Sequence, residues 1–205
     1  MAKIITISRE FGSGGREVGK RLADELGFEY YDREIIEQVA KESQFDETYV
    51  ENMLSGSFSV SLPVTFGRTF IYTDVVQQNM TNLLVTEQKI IKALADKGKD
   101  IVIVGRSADV LLKEYKPLNI FVYADMQSKV QRCRDRAAKD EKLTDKELVR
   151  KIRQVDSGRK KQRKLITDSE WGEKESYHLC LNTTGMNIKA FIPPLAEFVK
   201  SYFNK

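Results

Sequence analysis

Histidine occurs once in these 205 residues and cysteine only twice. The two cysteines, Cys133 and Cys180, have no metal-ligand spacing, so neither a zinc site nor a disulfide scaffold is available, and reduced thiols in a cytoplasmic protein are expected. No apolar run approaches the ~20 residues of a membrane span. The opening "MAKIITIS" passes straight into a strand pattern and does not read as a signal peptide. Repeats, low-complexity tracts and linkers are also missing, so one α/β domain is expected over 1–205.

What the chain has in quantity is charge. There are 34 Lys or Arg against 30 Asp or Glu, a net of +4, but the balance is uneven. Residues 125–165 hold fifteen basic and seven acidic residues, a local +8 that leaves −4 elsewhere. Seven of the fifteen are Arg, whose guanidinium grips phosphate oxygens in pairs. An anionic ligand explains this concentration better than a solvated helix face. Nucleic acid ranks second, because the segment lacks interleaved aromatics that stack on bases.

Hydrophobic periodicity gives alternating strands and helices. Strands are expected at 3–8, 28–31, 100–105, 118–124 and 178–182. Helices are expected at 15–26, 33–42, 46–54, about 72–96, 107–115, 126–141, 144–164 and 187–203. The 100–105 and 118–124 strands are nearly continuous apolar, as in a parallel sheet covered on both faces. Thr144 and Glu147 are spaced as a capping box. Pro193-Pro194 predicts a break in the last helix, or its true start. The Ser/Gly-rich piece 55–70 reads as a mobile loop.

The stretch "SREFGSGGREVGKRLA" follows the first strand and opens the first helix. Three glycines within four residues let backbone N–H groups converge on an anion, and the helix N-terminus adds its partial positive charge. The usual G-x-x-x-x-G-K-[ST] is nevertheless incomplete, since Gly15 stands where the lysine is expected. Other candidates sit at strand ends. Gly105-Arg106 closes a central strand, where ligands bind in open α/β sheets. Asp32 and Arg33 follow the second strand, although Asp32 also stands where a helix N-cap belongs. Asp156, Arg159 and Arg163 share one helical face at i, i+3, i+7. His178, inside a strand pattern, reads as a packing residue; Trp171 reads as either a cover for a closing lid or a local anchor.

In order and spacing, the glycine loop, "YYDREII", "IVGRSAD", "FVYADMQSKVQR", "IRQVD" and "LNTTGM" resemble the P-loop nucleoside monophosphate kinases, and among them the cytidylate kinase-like family. That resemblance implies a three-layer fold, a five-stranded parallel sheet with helices on both faces, with a helical acceptor insert near 33–95 and a lid near 132–175. It implies ATP-dependent phosphoryl transfer to a nucleoside monophosphate, CMP or dCMP first, with Mg²⁺. Gly12, Ser13, Gly14, Gly15, Arg16 and Glu17 would hold ATP, while Asp32, Arg33 and Arg106 would hold the acceptor. Arg16, Arg132, Asp156, Arg159 and Arg163 would serve the transfer. The family's "GSGKGT" differs from this loop at two telling places. Arg16 would have to stand in for the lysine, and Glu17, where threonine is expected, would either ligate Mg²⁺ or repel the phosphates. A catalytically weak nucleotide-binding or regulatory module is the alternative on the same scaffold, and a phosphate- or nucleic-acid-binding protein a third.

Overall fold

In the computed structural model, residues 2–54, 69–137 and 143–204 are described, with side chains left out for 69–74. The first strand, β1 (Ile4–Arg9), is buried at all six positions. It is followed by α1 (Gly15–Leu26), β2 (Glu29–Tyr31), α2 (Arg33–Ser43), α3 (Glu47–Leu54), α4 (Thr69–Asp96), β3 (Ile101–Val104), α5 (Ala108–Leu111), β4 (Leu118–Tyr123), α6 (Met126–Arg136), α7 (Asp145–Ile166), β5 (Leu179–Asn182) and α8 (Ile188–Phe203). All strand pairings are parallel, in the order β2-β3-β1-β4-β5.

Helices cover both faces, so central strands read as unbroken apolar runs. On one face Ile4, Ile101 and Ile103 pack under α2, α3 and α4 through Ile35, Val39, Leu54, Leu83 and Ile91. On the other, Ile5, Ile7, Val104, Ile120 and Val122 pack under α1 and α8 through Val18, Leu22, Ile192, Leu195 and Val199. Burying each such side chain contributes about 1.5–3 kcal/mol, which is what fixes the three layers. β1 lies between β3 and β4, so the chain departs to one side of it and later returns to the other. The crevice at this reversal is where open α/β sheets bind ligands, and the glycine loop opens into it.

The expected elements are present, with three differences. The helix expected over 107–115 is only α5 followed by a 3-10 turn at Lys113–Tyr115; it starts at Ala108 because Arg106 and Ser107 take left-handed backbone at φ 59° and 49°. The helix expected to 141 ends at Arg136, with Ala137 extended; residues 138–142 lie outside the described residues, as does 55–68 of the Ser/Gly-rich piece. The prolines neither break nor start α8. It begins at Ile188, capped by the Asn187 side chain, and runs through Pro193-Pro194 because the carbonyls they leave unbonded belong to exposed Lys189 and Ala190, where water replaces the lost partners. The capping box at the start of α7 is formed, with Glu147 Oε2 accepting from the Thr144 amide at 2.7 Å.

Candidate functional site

The loop between β1 and α1 is held open by two left-handed glycines, Gly12 at φ 77° and Gly14 at φ 84°. Gly14 caps α1 without any side-chain hydrogen bond. The first-turn amides therefore have no acceptor within the helix, and the helix dipole adds positive potential there. Ser13 is spent on architecture: its hydroxyl donates to the Glu10 carbonyl at 2.9 Å, and its carbonyl accepts from Thr183 Oγ1 at 2.7 Å. Arg132 reinforces this tie. Its Nη1 reaches Ser13 O at 3.4 Å and Thr183 Oγ1 at 3.2 Å, and Nη2 donates to the Thr183 carbonyl.

The loop opens into a cleft of about 920 Å³. Arg9, Arg16, Arg106, Arg132, Arg134, Arg136, Arg159 and Lys151 line it, against Glu10 and Glu51. Asp32, Glu17, Asp145 and Asp156, just behind the lining, pair with five of these eight cations, so the recessed site keeps a positive, anion-attracting field that is partly neutralised from behind. Leu143, Leu148, Val155 and Trp171 give the upper wall an apolar character. Trp171 meets the Phe121 ring edge-on at 5.3 Å, so it is both anchored and part of the wall. His178 accepts from the Asn119 amide through Nδ1 at 3.0 Å, which makes it a sheet-edge packing residue.

Of the residues anticipated for the site, Gly12, Gly14, Gly15, Arg16, Arg106, Arg132 and Arg159 meet at the cleft. Arg159 is already docked there: Nη1 donates to the Arg9 carbonyl at 2.9 Å, and its guanidinium lies 5.9 Å from the Phe11 ring centre. Burial holds its pKa below the usual range. Asp156 stands behind the loop, accepting from the Phe11 amide at 2.7 Å and from Arg159 at 3.1 Å. Burial raises its pKa against the opposing pull of that amide.

The others stand elsewhere. Asp32 makes no cap hydrogen bond; its carboxylate instead holds Arg16 Nε at 2.6 Å and Arg9 Nη2 at 3.3 Å. Arg33 lies on the outer surface between Glu37 and Glu47. Arg163 is 2 % exposed and bonded through Nη1 to Asp109 Oδ2 at 2.7 Å, with Ser169 satisfying the rest of its fork. Glu17 is held by Arg21 at 2.8 Å and by Arg136.

Those pairings bear on metal binding. Among the described residues no group of three His, Cys, Asp or Glu could hold an ion. Glu17 faces two guanidiniums, and Glu10 Oε2 accepts from Lys129 Nζ at 2.9 Å. Glu17 and Glu10, the carboxylates beside the loop, are thus held by cations and do not fit a protein-held Mg²⁺.

Two positions escaped sequence reasoning. Lys129 is buried beneath the loop as counter-ion to Glu10 and Asp156. Arg9 ends β1 with its guanidinium in the cleft and its side chain only 9 % exposed. Its signal was legible: it shares the inward face of Ile5 and Ile7, where a solvated charge cannot sit.

Comparison with known proteins agrees with this architecture. The family model described as "Cytidylate kinase-like family" matches residues 4–185. An uncharacterized protein from Eubacterium ventriosum has a similar crystal structure, with TM-score 0.69 and 22 % identity over 97 % of this chain and 99 % of that one. Shikimate kinase from Acinetobacter baumannii, solved with shikimate, gives TM-score 0.56 at 14 % identity, over 100 % of this chain and 97 % of that one. The enzyme from Bacteroides thetaiotaomicron gives 0.57 at 13 %, over 97 % and 98 %. No curated protein matches the sequence. No helix among the described residues is long and apolar enough to cross a membrane. The match along most of its length makes this chain a member of the cytidylate kinase-like family, built on the fold of the P-loop kinases.

Proposed function

We propose that the protein transfers a phosphoryl group from ATP to a nucleoside monophosphate, with CMP and dCMP as the first acceptors to try. The observation that carries this reading is the convergence of Arg16, Arg106, Arg132 and Arg159 from four separate elements on a glycine loop at a helix N-terminus. Phosphoryl transfer needs little covalent help from a protein. It needs the reactants placed in line and the spread negative charge neutralised, and the cations lining this cleft suit the second need.

In this reading the loop amides and Arg16 hold the donor phosphates, and Arg106 takes the acceptor phosphate at the end of β3. Arg159 sits across the transfer path, oriented by Asp156. Arg132 keeps the loop in shape by tying Ser13 to Thr183. Residues 33–95 serve as the acceptor insert and 132–175 as the lid, and the cytoplasm would supply the nucleotides. Any Mg²⁺ arrives with the nucleotide, and the steps above do not depend on a protein ligand to it. Glu17 stays paired with Arg21 and Arg136 instead of binding metal.

A second reading is favoured by that same pairing: a nucleotide-binding module with little turnover. One experiment separates the two. ATP and GTP are offered with each common ribo- and deoxyribonucleoside monophosphate, and formation of the two diphosphates is followed alongside calorimetric binding. Turnover with a monophosphate supports the kinase; binding without any turnover supports the module; absence of both refutes the nucleotide site.

A further inference from the structure

The phosphate loop lacks its lysine, and the chain holds a buried arginine where the standard pattern has none. With Gly14 as the second glycine of G-x-x-x-x-G-K-[ST] and Gly15 in the lysine's place, the first glycine falls on Arg9. The first and seventh positions of the motif have exchanged residue types. Geometry shows why an arginine at 9 goes with a glycine at 15. A Cβ on Gly15 would clash with Arg9 at 2.4 Å from its Cβ and 2.9 Å from its Cγ, while Val122 would stay at an ordinary 3.4 Å. A Cβ on Gly105, across the cleft at the end of β3, would overlap Nη1 of Arg9. Two glycines thus form a slot through which this one side chain passes from β1 into the site.

The arginine is poorly satisfied where it lies. Nη2 reaches Asp32 Oδ1 at only 3.3 Å, and Nε is buried without a hydrogen-bond partner among the described residues. Burial, together with the neighbouring cations Arg159, Arg106 and Arg16, pushes its pKa well down against the opposing pull of Asp32. A charge held among like charges is stabilised most by an anion of high charge density.

Building on the phosphate-site reading above, we infer that Arg9 is the phosphate-binding cation of this loop, delivering from the strand the charge that a loop lysine delivers from the helix. Arg16 stands on the outer side of the same Asp32, with its side chain 56 % exposed. It is the less preorganised of the two. Asp32 is a positioning residue that holds both guanidiniums.

The test moves the charge back. Arg9→Gly should weaken binding of both ATP and inorganic pyrophosphate by at least about 30-fold, the low end of the loss on truncating one partner of a buried charge pair. Gly15→Lys alone collides with Arg9. Combined with Arg9→Gly it rebuilds the ordinary motif, whose lysine reaches the β- and γ-phosphates, and should recover most of the lost affinity. In the unaltered protein, the Arg9 Nε–H resonance, assigned by its loss in Arg9→Lys, should shift in a saturable way with pyrophosphate. This measurement decides the matter should Arg9→Gly fail to fold. The inference is overturned if folded Arg9→Gly binds ATP like the parent, or if the Nε–H signal stays put while ATP saturates. Pyrophosphate binding that needs Arg9, without turnover of any monophosphate, upholds Arg9 and removes the kinase. Parental turnover in Arg9→Gly does the reverse, and no binding of either probe removes both.

Discussion

The amide of Phe11 donates to Asp156 Oδ1 at 2.7 Å, joining the glycine loop to a helix 145 residues away in sequence. The same carboxylate accepts from Arg159 Nη1, so one side chain orders both the loop and a cation facing it. Asp156→Ala should lower stability by about 1–3 kcal/mol, because a partly buried N–H loses its acceptor. It should also weaken ATP binding. Urea denaturation and calorimetry would measure the two effects. If Asp156→Asn keeps full stability and ATP affinity yet loses turnover, Asp156 touches substrate instead of supporting the loop.

Arg163 gives the opposite case. Its ion pair with Asp109 is 2 % exposed on each side, and removing one partner strands the other. Arg163→Met should cost about 3–5 kcal/mol, whereas Arg163→Met with Asp109→Leu should regain most of it. Turnover per folded molecule should stay at the parental level in the double variant. A large fall in kcat there would return Arg163 to the reaction.

Arg106 and Arg33 follow β3 and β2, but only Arg106 faces the cleft. Arg106→Ala should cut kcat/KM about 10²-fold, mostly through the acceptor's KM. Arg33→Ala removes exposed pairs at 3.9 and 3.7 Å, which are worth little, and should leave steady-state kinetics within about twofold. Equal effects from the two substitutions would refute the assignment.

Glu87 lies fully buried on α4, 3.6 Å from Arg106 Nε. Burial raises its pKa from the ordinary 4.5 to about 7, with Arg106 pulling the other way. The folded state binds this proton more tightly than the unfolded chain does. Its contribution to stability is therefore complete below about pH 4.5 and lost as pH rises through 7, up to about 3 kcal/mol in all. In Glu87→Gln that part of the pH dependence should vanish, as read from urea midpoints at successive pH values. An unchanged slope would show that other groups set it.

Strand positions, the glycine loop and the basic helix α7 were legible because each rests on local pattern: apolar runs for covered strands, spacing for helices, glycine for unusual backbone. The sequence did not say which arginine would face which carboxylate. Arg159 and Arg163 lie one helical turn apart on the same face, yet one meets the loop and the other pairs with Asp109 beneath it. That difference is set by what α7 packs against. Arg33 shows the same limit, since its direction depends on the α2–α3 corner. Pro193-Pro194 misled because an exposed helical edge tolerates carbonyls without partners. Arg9 could have been found, as a charge on the buried face of a strand demands a reason.

The bond between Thr183 Oγ1 and the Ser13 carbonyl spans 170 residues, and its consequence concerns the order of synthesis. The loop is made well before the residue that fixes it, which stands directly after β5, the last strand of the sheet to be made. A nascent chain can pair β1 with β3 and β4 long before Thr183 exists, since these contacts close earlier in the sequence. During that interval the anion-attracting cleft is unfinished. The tie that shapes the glycine loop is thus added only after the other four strands of the sheet have been made.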